Sequence, residues 1–207
     1  MNTLGEAGPQ WRAHYALAAR WYASVVGRCG GRWEEPALGA WSVRDLVGHT
    51  GRALSTVESY LGASGPVEVA SAADYFRIAL ESDPEVVAER GRAAGAALGS
   101  DPAAGARELA GRVPGVVEAA GEGALVATPF GVMELAEYLP TRTFELVVHT
   151  GDVCAALGER ADPPEGAARS VLALAGVLAG DRLGVVLGAL TGRAALPAGF
   201  SVLGGQR

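Results

Sequence analysis

The chain has 207 residues, of which 49% are hydrophobic and 19% are charged, which is enough apolar material to build the core of a globular domain. Its formal net charge is −6, and all 17 basic residues are arginines. An acidic chain without a basic run has no electrostatic footprint for nucleic acid or for an anionic membrane surface.

The sequence predicts neither a membrane-spanning segment nor a signal peptide. The most apolar stretch, 171–190, is interrupted by Asp181 and Arg182, whereas a spanning helix needs about 20 apolar residues with few charges. The N-terminus has neither a basic region nor an apolar one. The two cysteines, Cys29 and Cys154, fit neither a disulfide framework nor a C-x-x-C site. We therefore expect a cytoplasmic protein with reduced thiols.

Helical periodicity dominates the first third of the chain. Apolar residues at spacings of three and four predict a first helix over 11–26. Ser42 followed by Asp45 three residues later predicts the N-terminus of a second helix through a capping box. Its apolar positions continue to about Leu61.

The middle of the chain contains weaker signals. A helix is expected to begin near residue 72, and Pro84 either splits it or restarts it as the proline of a first turn. Asp101 and Pro102 predict another helix start. The stretch 115–128 is rich in glycine and is interpreted as irregular, and the sequence contains no convincing hairpin signal.

The longest uninterrupted helical pattern covers 132–157, and Pro140 within it should either kink the helix or mark its first turn. One or two further helices are expected over 165–207, where glycines recur every fourth residue from Gly176 to Gly192. On one helix these glycines would form a groove, although chance explains the spacing equally well. The prediction from periodicity is an all-α protein with four or more core helices, most simply a bundle.

A histidine–carboxylate pattern predicts a metal site. Glu145 precedes His149 by four residues in the longest helix, so both side chains share one face and can bind one ion. His49, in the second helix, is the natural third ligand, because bundle interiors build metal sites from facing helices. Two histidines and one glutamate leave a coordination position open, as in catalytic zinc sites. The alternative is a Glu145 satisfied by an ion pair with Arg142 or His149.

Two further polar residues fall on the same helix face. Asp152 could ligate the metal, orient a histidine or contact a substrate, or it could be an exposed carboxylate near a helix end. Arg142 could bind a substrate carboxylate through two parallel hydrogen bonds, or it could pair with Glu145. Cys154 falls off this face and is expected to contribute to packing.

Two segments together carry a family resemblance. Residues 41–49 read WSVRDLVGH, and residues 142–152 read RTFELVVHTGD. This pair of motifs resembles the mycothiol-dependent maleylpyruvate isomerase family, which belongs to the DinB-like superfamily of metal-binding four-helix bundles. The resemblance implies a DinB-like four-helix bundle in residues 1–160. It also implies, in residues 161–207, a short helical C-terminal extension packed on the bundle, where larger isomerases of the family carry a separate C-terminal domain.

The resemblance implies a divalent metal, with Zn²⁺ the expected ion, on His49, Glu145 and His149, and mycothiol as cosubstrate. Arg142 and Asp152 match the second motif and are the expected catalytic and cofactor-binding residues. Mycothiol is the low-molecular-weight thiol of actinobacteria, and the arginine-only composition, rich in alanine and glycine, indicates a GC-rich coding bias that suits such a source.

The chemistry implied by the resemblance starts from the thiol. A thiol that coordinates a divalent cation loses its proton at neutral pH. The thiolate would then attack a small electrophilic or unsaturated substrate. If the new C–S bond breaks after rotation, the protein is a cis–trans isomerase; if the bond persists, it is an S-transferase.

Two other functions stay open. A non-catalytic, metal-containing binding module would have a full coordination shell, or a pocket closed by aromatic side chains such as Trp41 or Phe130. A metal-dependent hydrolase would need a general base near the metal, for which Asp152 is the candidate. The expected partners are a small thiol and a small electrophile, with no nucleic acid and no membrane.

Overall fold

Helices make up most of the computed structural model, which describes residues 10–204. In chain order they are α1 (Gln10–Val26), α2 (Val43–Tyr60), α3 (Ala72–Ala79), α4 (Pro84–Ala97), α5 (Pro102–Ala119), α6 (Leu135–Ala156), α7 (Glu165–Ala179) and α8 (Leu183–Leu190). α1 and α2 each pack against both α5 and α6, and these helices form a four-helix bundle. The all-α prediction is confirmed. Residues 1–9, on which the expectation about a signal peptide rests, lie outside the described residues.

Local capping accounts for the helix starts that the sequence predicts. The Ser42 hydroxyl accepts a hydrogen bond from the Asp45 backbone N–H, and the Asp45 carboxylate accepts one from the Ser42 backbone N–H. The Asp101 carboxylate accepts from the Ala104 N–H at the start of α5. Pro84 begins α4 as a first-turn proline, so it restarts the helix after a break.

Buried tyrosines fix the position of α2 within the bundle. The Tyr15 and Tyr22 hydroxyls on α1 donate to the carbonyls of Ala53 and Val47 on α2, at 3.0 and 2.8 Å. The Tyr138 hydroxyl on α6 donates to the Thr56 hydroxyl on α2 at 2.9 Å. A buried phenol without a partner is costly, so these bonds favour one register of α2 against its neighbours. His49 lies between the two carbonyl positions and is held in that register.

A short hairpin precedes α6. Strands β1 (Leu125–Thr128) and β2 (Gly131–Glu134) pair antiparallel, with Leu125 opposite Glu134. The Thr128 hydroxyl donates to the Gly131 carbonyl across the turn, and Gly131 has φ +124°, which only glycine adopts without strain. The expectation of no hairpin is wrong, because strands of four residues are too short to show an alternating pattern.

Two other boundaries differ from the predicted ones. The stretch 115–128 is not irregular throughout, because α5 continues past Pro114 to Ala119, packed against α1 and α2. α6 begins at Leu135, after the hairpin, and Pro140 lies inside it and not in its first turn. Burial against neighbouring helices outweighs the local preference of proline and glycine in both places.

The C-terminal part begins with α7, which packs on α6, α1 and α3, and α8 packs on α7. A 3₁₀ turn over Gly180–Arg182 separates these two helices, and Gly180 has φ +55°. The glycine spacing is therefore not a stripe on one continuous helix.

By length and composition alone, the helical stretch Glu165–Leu190 is apolar enough to cross a membrane, and most of it lies outside the core. One such helix does not by itself indicate a membrane protein, and the expectation of no membrane partner stays a prediction. The division of the chain at residue 160 also stays a prediction.

Candidate metal centre

Three side chains from two helices converge beside one cavity. His49 lies on α2, whereas Glu145 and His149 lie one turn apart on α6 and share a face. Glu145 Oε2 is 3.3 Å from His149 Nε2 and 3.8 Å from His49 Nε2. The ligand atoms of all three lie within 4.8 Å of one another. The structure thus brings together the three residues that their spacing singles out.

These separations fit a divalent metal ion. In a tetrahedral site with bonds of about 2.0–2.1 Å, neighbouring ligand atoms lie about 3.3 Å apart. The Glu145–His149 separation already has this value, whereas His49 Nε2, at 3.8 Å from Glu145 Oε2, would have to move closer to join the same ion. Two imidazole nitrogens and one carboxylate oxygen leave a position for a further ligand.

Asp152 orients His149. Its Oδ2 lies 2.9 Å from His149 Nδ1, which makes Nδ1 the protonated nitrogen of the neutral ring and leaves the Nε2 lone pair toward Glu145. Burial disfavours a charge on His149, but hydrogen bonds with Asp152 and Glu145 outweigh burial and raise its pKa to about 9. Without a metal, the ring therefore carries a second proton at neutral pH.

His49 has a different environment. Burial lowers its pKa, so the ring is neutral at pH 7. Its Nδ1 is buried and has no hydrogen-bond partner within residues 10–204, so Nε2 is the nitrogen that faces polar neighbours. The Trp41 ring lies over it with 4.4 Å between centroids, and Trp41 Nε1 donates to the Ala88 carbonyl of α4 at 3.0 Å. The imidazole of His49 is therefore held by stacking on Trp41, whereas that of His149 is held by a carboxylate at Nδ1.

Glu145 is the anion of the cluster. Burial would raise its pKa, but hydrogen bonds with His149 and His49 and the charge of Arg142 bring the pKa below its ordinary value. The structure gives Glu145 its close contact with His149 and, among the described residues, no ion pair with Arg142. Of the two pairings considered from the sequence, the one with His149 is therefore the one present.

Arg142 is held by aromatic rings. Its side chain is buried, and its Nε donates to the Thr141 hydroxyl at 2.9 Å. The guanidinium carbon lies 4.8 Å from the Tyr138 ring centroid and 5.1 Å from that of Tyr75, distances typical of cation–π contacts. The residue lines the same cavity as the His/Glu/His cluster and has no carboxylate partner in the part of the chain described. Tyr75, from α3, was not among the residues predicted from the sequence.

The cavity has a volume of about 770 Å³. The cluster and Arg142 line it, together with residues of the loop before α2, of α3 and the loop after it, of α4, of the hairpin turn and of the C-terminal segment. Among them are Leu38, Trp41, Tyr75, Leu80, Phe130 and Leu203. Trp41 and Phe130 stand in its walls and do not close it. Asp152 is not among the lining residues, because it lies behind His149.

Glycines allow α4 to approach α2, the helix that carries His49, closely. A Cβ atom at Gly48 would overlap the backbone of Gly95, and a Cβ atom at Gly91 would lie 2.7 Å from the Trp41 ring. The close contact of α2 and α4 thereby positions both His49 and the ring that stacks on it. In the sequence, this close helix contact is marked by Gly91 and Gly95, which are four residues apart and so lie on one face of α4.

A comparison with protein families gives one match. The family model described as mycothiol maleylpyruvate isomerase N-terminal domain matches residues 15–154, which run from α1 to the last turn of α6 and include the whole cluster. No curated protein and no solved structure matched the chain.

Proposed function

The chain belongs to the mycothiol maleylpyruvate isomerase N-terminal domain family, and we propose that it is a metal-dependent transferase or isomerase that uses mycothiol to attack a small electrophile. The observation that carries the proposal is the convergence of His49 Nε2, Glu145 Oε2 and His149 Nε2 on one cavity. We propose Zn²⁺ as the ion, because two imidazoles, one carboxylate and an open position are typical of catalytic zinc.

The metal would supply one chemical function, lowering the pKa of a coordinating thiol so that the thiolate forms at neutral pH. The protein's own residues prepare the site for it. Asp152 holds His149 through Nδ1, so that Nε2 is the nitrogen that would ligate the metal and would give up its proton for it. His49 is neutral beforehand and needs no proton removed.

Arg142 would bind an anionic group of the electrophile. Its guanidinium can donate two parallel hydrogen bonds to a carboxylate, and no carboxylate of the described residues competes for them. The Tyr75 and Tyr138 rings hold its orientation, and the buried position excludes water that would otherwise screen the charge.

Two observations weigh against the alternative functions. A hydrolase would need Asp152 as a general base, but its carboxylate is engaged by His149 Nδ1. A closed binding module would need a complete coordination shell, whereas the cluster offers three ligands beside a cavity large enough for a second molecule.

The test measures metal content and then titrates the metal-loaded protein with mycothiol. We expect one equivalent of zinc in the wild type, and thiol binding accompanied by proton release. His49→Ala and His149→Ala should each lose the metal. His14→Ala, which removes the remaining histidine of the chain, is the control and should keep it. Stoichiometric metal in both cluster variants would rule out this ligand set, and metal without any response to thiol would rule out mycothiol as cosubstrate.

A further inference from the structure

Three leucines from distant parts of the sequence surround the same opening. Leu38 lies in the loop before α2, Leu80 directly follows α3, and Leu203 lies in the C-terminal segment. All three nevertheless line the cavity that the His/Glu/His cluster also lines. Leu38 and Leu80 remain 39% and 43% exposed. Lining residues with this exposure stand where the cavity meets solvent. We call Leu38, Leu80 and Leu203 the apolar mouth.

The C-terminal segment is fixed in place by one arginine. Arg182, in the 3₁₀ turn between α7 and α8, donates to the carbonyls of Ser201 and Val202 at 2.8 and 3.2 Å. Its guanidinium carbon lies 5.6 Å from the Phe200 ring centroid. Leu203 follows directly and packs against the hydrophobic core. Through these contacts, residues 200–203 are packed against the rest of the protein, and Leu203 forms part of the cavity wall.

The cavity therefore changes in character along its depth. The histidines, Glu145 and Arg142 provide charge and hydrogen bonding at the cluster, whereas the three leucines provide hydrocarbon at the opening, which the exposed Arg90 also lines. A volume of about 770 Å³ is in the range that holds drug-sized molecules, which is more than a small reactive group fills. A ligand that matches both regions has a polar reacting end and a hydrocarbon part.

We propose that the apolar mouth binds a hydrocarbon part of the second substrate, an alkyl or aryl group several carbons long. Arg182 is the positioning residue that keeps Leu203 in place at the mouth. The proposal rests on the proposed function, since the reacting end of that substrate faces the metal cluster. The mouth itself is built from residues outside the cluster, so it can be tested separately.

The test uses straight-chain alcohols, whose binding needs neither the metal nor Arg142. Dissociation constants for 1-butanol, 1-hexanol and 1-octanol are measured by NMR titration on metal-loaded and metal-free protein. Burial of each added methylene should tighten binding about fourfold in the wild type. Leu203→Ala and Arg182→Gln should weaken this dependence. The matched controls Leu196→Ala and Arg193→Gln change exposed residues of the same segment that lie outside the cavity lining and should preserve it.

The outcomes separate the two proposals. Affinity independent of chain length in the folded wild type would overturn the apolar mouth, and so would an unaltered dependence in Leu203→Ala. If Arg182→Gln reduces folding, as judged by thermal melting, Leu203→Ala alone decides. A chain-length dependence that Leu203→Ala removes, in a protein that binds no zinc, would support the mouth and contradict the proposed function.

Discussion

Asp152 and His149 form the contact that decides how the cluster can work. Asp152 Oδ2 lies 2.9 Å from Nδ1 of the ring, and Glu145 Oε2 lies 3.3 Å from Nε2. The imidazole thus has a carboxylate at each nitrogen. Without a metal these carboxylates favour the doubly protonated ring, whereas with a metal at Nε2 the Asp152 contact still satisfies Nδ1.

Replacing Asp152 with asparagine should weaken metal binding without abolishing it. An amide removes the charge behind His149 and no longer makes Nδ1 the obligatory donor, so zinc affinity should fall about 10–100-fold while saturating zinc still gives one equivalent. Competition with a chromophoric chelator measures the affinity. Asp162→Asn, at an exposed carboxylate, is the control. An affinity equal to that of the wild type would show that Asp152 does not act through His149.

Zinc binding should be coupled to the loss of about one proton. Because the pKa of His149 is raised to about 9, the metal competes with a proton at Nε2 throughout the neutral range. Apparent zinc affinity should therefore fall about tenfold for each pH unit between pH 8 and pH 6. Above pH 7, His49 and Glu145 add no such dependence, because their pKa values are shifted downward. Calorimetry in buffers of different ionisation enthalpy counts the protons, and a pH-independent affinity would contradict the protonated state of His149.

The candidate metal ligands could be predicted from the sequence because the signals that point to them are local. Glu145 and His149 are one helical turn apart, and the capping box at Ser42 defines the start of the helix that carries His49. To predict that these residues meet, one needs only the helical period and the assumption that the apolar faces of the two helices pack together.

The rest of the site depends on tertiary packing that no local pattern encodes. Tyr75 reaches Arg142 from α3, and Leu203 reaches the cavity from the far end of the chain. The position of Trp41 over His49 follows from the contact of α4 with α2, which depends on Gly91 and Gly95. The hairpin was missed for a different reason, since its strands are too short to show a period.

Arg142→Gln should weaken carboxylate binding while leaving the metal bound. The buried guanidinium has no carboxylate partner of its own, so a bound anion would gain two charge-assisted hydrogen bonds that glutamine cannot supply. We expect succinate to bind metal-free wild-type protein at least about tenfold more tightly than it binds the variant. NMR titration measures both, and Arg107→Gln, at an exposed arginine of α5, is the control. Equal succinate affinity would mean that Arg142 has only a packing role.

Gly48→Ala should destabilise the fold and loosen the metal site together. The added methyl group would overlap the backbone of Gly95, and a backbone cannot rotate away as a side chain can. We expect the free energy of unfolding to fall by about 1–3 kcal/mol or more, from overpacking at a helix contact. Gly111→Ala on α5 is the matched control, because nothing lies near its Cβ position, and it should raise stability by up to about 1 kcal/mol. Chemical denaturation measures both. Because the displaced α4 also supports Trp41, zinc affinity should decrease in Gly48→Ala alone; a destabilised variant with unchanged zinc affinity would separate the helix contact from the position of His49.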